Sequence, residues 1–173
     1  MKIIRTQPSH ATILANYYAA NEAHLQRWSP RVPPGHHSVE AWEIRLSDRD
    51  LEFQRGQAVH FIGTDDEESE VIGACSVSSI IRGVFQAGHL GYSCAERYQG
   101  QGLMKRIVSH TIDYAFSEMR LHRLMANYMP DNARSGRLLA SLGFEREGYA
   151  KSFLLIDGKW EDHVLTSLVN TDG

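Results

Sequence analysis

A chain of 173 residues that is 42% hydrophobic and 23% charged is long enough to bury one sizeable core, and no shift in composition marks a second domain, so a single domain over 1–173 is expected. The net charge of −3, without any basic block, excludes a phosphate-tracking nucleic-acid binder, whose affinity depends on clustered Lys and Arg. There is no run of about 18 apolar residues and no signal-peptide layout, so a soluble cytoplasmic protein without membrane contact is expected.

Cys75 and Cys94 have neither metal-ligand nor redox spacing and read as reduced thiols. The histidines, including His36, His37 and His122, do not pair with another His, Cys or carboxylate at metal-site spacing, so no metal is expected. Ile3-Ile4 opens the chain as a short edge strand. Ser9 can then cap an amphipathic helix carrying Ile13, Leu14, Tyr17 and Leu25. The segment WSPRVPPGHH (28–37) holds three prolines and a glycine and must be an exposed loop. Its Trp28 either anchors the loop to the core or lines a pocket. A second helix starts after Ser38, passes Trp42 and Leu46, and stops near Gly56.

Beyond Gly56 the period changes. AVHFIGT (58–64), VIGACSVSS (71–79) and VFQAGHLGYSC (84–94) read as three consecutive strands of an antiparallel meander. The acidic run DDEESE is a solvated turn without chemistry. A helix over 103–119 places Met104, Val108, Ile112, Ala115 and Met119 on one stripe, and RLMANYM (123–129) follows as a strand parallel to the one ending at Cys94. Asp131 or Asn132 then caps a short helix closed by Gly143-Phe144. YAKSFLLI (149–156) and KWEDHVLTSL (159–168) flank Asp157-Gly158, a strong hairpin signal. The fold class is α/β, as three α+β layers around a mixed, mostly antiparallel sheet with a C-terminal hairpin.

The turn before the 103–119 helix has two glycines in three residues, Gly100 and Gly102, and opens backbone N–H groups at the positive end of a helix dipole, a ready anion site. A dinucleotide fingerprint would need a glycine where Lys105 stands and an acid where His122 and Arg123 stand. A triphosphate loop would need Lys-Ser/Thr where Leu103-Met104 stand. Neither reading fits.

Arg97-Tyr98-Gln99-Gly100-Gln101-Gly102 resembles the Arg/Gln-x-x-Gly-x-Gly/Ala loop of the Gcn5-related N-acetyltransferases, and Asn132-x-x-Ser135 followed by Leu142-Gly143-Phe144 is similar to their second signature. The resemblance extends from the NEAHLQRWSP loop to the DGKWEDHVL hairpin and is closest to the branch that acetylates N-terminal residues of ribosomal proteins. It implies acetyl-coenzyme A as co-substrate, with its pyrophosphate on Arg97, Tyr98, Gln99, Gly100, Gln101, Gly102 and Leu103. The thioester would lie along Gly91, Tyr92 and Ser93, where a backbone amide meets its carbonyl, and the pantetheine and thiol end beside Asn132 and Ser135. The implied acceptor is the N-terminal α-amino group, with alanine as the expected residue, of a small-subunit ribosomal protein, and the implied assembly is a monomer or homodimer. Neither metal nor direct nucleic-acid binding is implied.

That chemistry is direct attack by the amine in a ternary complex. Many family members protonate the leaving thiolate with a tyrosine seven residues after the asparagine. Here Leu139 stands in that place, and Ser135 matches the serine of the ribosomal branch. The glutamate base of a related ribosomal acetyltransferase is replaced by Leu154, which leaves His89, Asp162 and His163 as weak candidates. An α-amino group titrates about 2.6 units below lysine, so its neutral form costs roughly 3.5 kcal/mol less, and a site without a strong base suits an N-terminus. The alternatives are a small-amine acetyltransferase with the same co-substrate, or a coenzyme-binding ribosome-assembly factor without catalysis.

Overall fold

Seven strands, β1 (Lys2–Arg5), β2 (Val59–Thr64), β3 (Val71–Ile81), β4 (Ala87–Cys94), β5 (Arg123–Tyr128), β6 (Glu145–Ile156) and β7 (Lys159–Val169), form one sheet in the order β1-β2-β3-β4-β5-β7-β6. The computed structural model describes residues 1–171. Only β4 and β5 run parallel; every other neighbouring pair is antiparallel. Helices α1 (Ala11–Gln26) and α2 (Val39–Gln54) cover one face, while α3 (Leu103–Ser117) and α4 (Ala133–Ser141) cover the other. The mixed, mostly antiparallel three-layer architecture read from the sequence is the one observed.

Period-two alternation builds both cores. Val59 and Phe61 of β2, Cys75 and Val77 of β3 and Leu90 of β4 meet Ile107, Val108 and Ile112 of α3. Ile62 and Val71 turn the other way, onto Leu14, Tyr17, Trp42 and Leu46. Leu46 is 1% exposed and Ile44, on the outer side of the same helix, 67%. Leu46→Ala is therefore expected to lower the unfolding free energy by about 2–5 kcal/mol and Ile44→Ala by less than about 0.5. The urea midpoints of the two variants check this difference.

Several boundaries move, each for a local reason. Ser9 does not cap the first helix: Pro8–His10 forms a tight 3-10 turn, and α1 starts at Ala11 with His10 at its N-cap. The Gln7 N–H donates to His10 Nδ1 at 3.0 Å, so the imidazole satisfies a group that a serine cap would leave alone. β4 begins at Ala87, not Val84, because Gly83 and Gln86 take positive φ and turn the chain between them, leaving Val84 fully exposed. α3 ends at Ser117, two residues short of Met119, and Arg120 enters the left-handed region at φ +52°. β6 begins at Glu145 rather than Tyr149, and β3 and β7 run slightly further than the sequence suggests.

Other local signals hold. Ser38 Oγ accepts from the Ala41 N–H at 3.1 Å and starts α2, and Gly56 at φ +66° follows its end. At the hairpin, Asp157 and Gly158 both have positive φ between the paired Ile156 and Lys159, as a two-residue type I′ turn requires.

Candidate active site

The parallel pairing of β4 with β5 is short. It joins Ala87–His89 to Arg123–Met125 and stops, although β4 continues to Cys94 and β5 to Tyr128. A wedge therefore opens between the C-terminal halves of the two strands. The Ala95 N–H donates to Ile72 O of β3 at 2.9 Å. By strand alternation the Ser93 and Gly91 amides also face β3, so the Tyr92 amide faces the wedge, where no strand lies opposite. It is a fixed backbone donor left free by the splay.

The opposite wall carries Ser135. Asn132 caps α4 by accepting the Ser135 N–H at 3.2 Å, so of the two cap candidates Asn132 serves and the serine hydroxyl is left for other contacts. At its far end, α4 is closed by bonds from Phe144 N–H to Leu139 O at 3.0 Å and from Gly143 N–H to Ala140 O at 3.1 Å, with Gly143 at φ +88°. That double bond pattern is a Schellman stop with Phe144 packed behind it. Gly136 is needed here because a Cβ would come 2.9 Å from the Tyr128 ring. Thus fixed, Ser135 Oγ lies 2.6 Å from the Tyr92 hydroxyl, across the wedge. Burial pushes Tyr92 up to about 12, so its hydroxyl stays protonated. The Tyr17 hydroxyl, 2.9 Å from Ser93 Oγ, steadies the next residue of β4 from the α1 side.

β4 leads through a 3-10 turn at Glu96–Tyr98 into the glycine turn. Gly100 and Gly102 have φ of +75° and +76°, and a Cβ on either would meet nothing within 4 Å. The turn is thus left-handed and open on its outer side. Gly102 is the N-cap of α3 without a side-chain cap, so the first N–H groups of that helix point outward unclaimed. Arg97 pairs with Glu70 and lies over the Tyr98 ring, whose hydroxyl donates to Glu70 at 3.1 Å. Gln99 Nε2 lies 2.7 Å from His24 Nε2, and Gln101 donates to Arg97 O at 2.9 Å. These side chains hold the turn's shape, while its backbone remains available. Leu103, the first residue of α3, packs into the core.

The three base candidates are less suited. Asp162 accepts from the Ser152 N–H at 2.8 Å and the Tyr149 hydroxyl at 2.7 Å, pinning a bulge in β6, and those bonds hold its carboxyl below the usual range. His163 is buried with Nδ1 3.0 Å from Glu161 O. His89 sits in the paired part of β4 with Nδ1 buried and unpartnered, and burial lowers its pKa. Leu139 and Leu154 carry no titratable group.

A groove of about 700 Å³ reaches Asp131, the residue before the Asn132 cap of α4, and is lined by Gln26, Arg27, Asp131, Tyr149, Asp157 and Glu161 among others. Its walls come from four segments, among them the NEAHLQRWSP and DGKWEDHVL stretches of the family resemblance, and what sequence reasoning missed is that they meet in one groove. The 28–37 loop closes one end. The Asp157 N–H donates to Ser29 O at 3.0 Å, and its carboxylate takes Arg31 at 2.9 Å and Gln26 at 3.1 Å. Trp28 belongs to neither core cluster and lies under the Arg27 guanidinium at 4.6 Å.

A strand pair splayed beside a glycine turn at a helix N-terminus offers one amide at a polarised carbonyl and several at a pyrophosphate, which fits an acyl-coenzyme. The chain belongs to the acetyltransferase (GNAT) domain family, whose model matches residues 2–145. Acetyl-coenzyme A is the co-substrate. Within that family the chain is 46% identical, over 92% of its length and 82% of the relative's, to the [ribosomal protein uS5]-alanine N-acetyltransferase of Escherichia coli strain K12. The crystal structure of the ribosomal-protein-S5-alanine acetyltransferase from Vibrio fischeri superposes with a TM-score of 0.95 at 42% identity, covering 98% of this chain and 93% of that one. Mycobacterium smegmatis RimJ in complex with CoA-disulfide matches with a TM-score of 0.89 at 26% identity, covering 96% of this chain and 80% of that one.

Proposed function

We propose that the protein transfers acetyl from acetyl-coenzyme A to the N-terminal α-amino group, with alanine as the first residue, of a small-subunit ribosomal protein in the cytoplasm. The observation that carries the catalytic reading is the 2.6 Å contact between Ser135 Oγ and the Tyr92 hydroxyl across the β4–β5 wedge, beside the free Tyr92 amide. The acceptor is supported by the 46% identity to an enzyme named for uS5 alanine acetylation.

The Tyr92 N–H donates to the acyl carbonyl oxygen and strengthens that bond as negative charge grows there. The amine nitrogen bonds to the acyl carbon as the carbon–sulfur bond breaks with its electron pair going to sulfur. Ser135 Oγ–H gives sulfur its proton. Either hydroxyl can donate in their 2.6 Å contact, and with Tyr92 as donor the serine's own hydrogen is turned outward and the charge left on its oxygen is offset. The amine loses its proton to water, and water returns a proton to the Ser135 oxygen, so no net charge stays on the protein. None of His89, Asp162 and His163 is placed to take it, and an α-amino group near pKa 7.7–8.0 is about half neutral or less at physiological pH without help. The 700 Å³ groove is acidic on balance, with Asp131, Asp157, Glu161 and Asp162 against Arg27 and Lys159 in its walls, and is wide enough to admit the acceptor chain.

Acetylation of a peptide copying the acceptor's first residues, measured beside a panel of small amines, tests this reading. Saturable turnover of an Ala-initiated peptide is expected. Faster turnover of a polyamine would replace the acceptor, and coenzyme A binding with no acetylation of peptide or intact ribosomal protein would overturn catalysis.

A further inference from the structure

On the other face of β4, beneath α1 and α2, lies a second cavity of about 200 Å³, walled by Leu14, Tyr18, Arg49, His60, Ser76 and Gly91 among others. Its floor is a cross-strand row, His60 paired with Ser76 and Ser76 with Gly91. Gly91 makes the row hollow, since a Cβ there would meet nothing nearer than Ser76 Oγ at 4.0 Å. Although mid-strand, Gly91 is solvent-exposed. The cavity thus reaches solvent, and a group resting on Gly91 is one residue from the Tyr92 amide of the reaction centre.

Its charge is unbalanced. The Arg49 guanidinium lies 5.1 Å over the Trp42 ring, and among the described residues it forms no hydrogen bond and no ion pair. Glu52 of the same helix acts on Arg49 only as a charge without an ion pair, and its carboxylate lies 3.8 Å from His60 Nε2. Arg45, one turn earlier, adds a second positive charge that acts on Arg49. His60 adds none, because burial and the Arg49 charge drive its pKa down to about 3. A half-buried guanidinium with its five donors unused, beside the Ser76 and Tyr18 hydroxyls, matches the two-oxygen geometry of a carboxylate.

We propose that this cavity is a carboxylate site with Arg49 as its counter-ion, filled during turnover by an acidic side chain close to the acceptor's N-terminus. That ligand rests on the peptide-acceptor reading. The site itself does not, because a free small carboxylate offers the same chemistry.

The test has two arms on the full chain. In the first, melting temperature is followed against propionate, with chloride at equal ionic strength as control. A saturable rise is expected in the wild type, lost in Arg49→Met and kept in part by Arg49→Lys, which preserves the charge. In the second, kcat/KM is compared for Ala-initiated peptides carrying Glu or Gln at each of positions two to four. The wild type is expected to prefer one Glu peptide by about 10–100-fold, mainly through KM, and Arg49→Met to bring that ratio near one. Propionate protection without a peptide preference would assign the site to a free carboxylate. Absence of protection in the wild type, or equal protection in Arg49→Met, overturns the site. Failure of every peptide to turn over would sink the acceptor reading and leave the propionate arm to decide the cavity.

His60 also shapes acid stability. The folded ring stays neutral down to about pH 3, whereas the unfolded ring takes up a proton below about 6.5. Its contribution is therefore complete above pH 6.5 and is lost progressively as pH falls toward 3. His60→Gln is expected to reduce proton uptake on unfolding by about one in that window, read from urea midpoints at about pH 7 and about pH 5.

Discussion

Ser135→Ala is expected to lower kcat by roughly 10²-fold or more while coenzyme A affinity changes by only a few-fold. The hydroxyl is not needed to build α4. Asn132 carries the cap, the Schellman stop closes the far end, and the serine's backbone N–H keeps its bond after truncation. What is lost is the group 2.6 Å from the Tyr92 hydroxyl and the proton it would hand to sulfur. Tyr92→Phe is expected to have a smaller effect of the same kind, since Ser135 would retain its proton but lose its orienting donor. Steady-state kinetics with a direct coenzyme-binding measurement decide the matter. Equal losses in kcat and in coenzyme affinity would make Ser135 a binding contact only.

Gly102→Val should weaken coenzyme A binding by about 10–100-fold, with Gly100→Val close behind. Both glycines have φ near +75°, a region that costs a β-branched residue roughly 1–2 kcal/mol or more. Relaxing that strain swings the peptide planes and turns the outward amides of the α3 terminus away from the pyrophosphate. Space is not the obstacle, since a Cβ at either position meets nothing within 4 Å. Gly102→Ala should therefore give an intermediate loss, and a coenzyme affinity unchanged in all three variants would place the pyrophosphate elsewhere.

The glycine turn and the DG hairpin were legible in the sequence because each depends on backbone conformations that few residues adopt. The α4 stop was legible for the same reason. Ser9 misled because Pro8 imposes a tight turn before the helix, and Val84 because two apolar residues at a loop tip imitate a strand start. The Tyr92–Ser135 contact joins residues 43 apart, and neither motif specifies it. It follows from where the β4–β5 ladder stops, a property of sheet twist and packing that no local spacing encodes. The groove and the Arg49 cavity were less visible still, because each is walled by segments far apart in sequence whose meeting no local pattern specifies.

The docking of Asp157 on the 28–31 segment has a consequence for how such a protein can diverge. Gln26 and Arg31 lie 131 and 126 positions before the aspartate they grip. One end of the 700 Å³ groove, which the proposed function gives to the acceptor, is therefore set by two surface segments that share no part of the Tyr92–Ser135 centre. A change of length in either one resizes the entrance and leaves the wedge, the serine and the glycine turn as they are. Partner choice and acyl transfer can then drift separately, one at the rim of the molecule and the other at its middle.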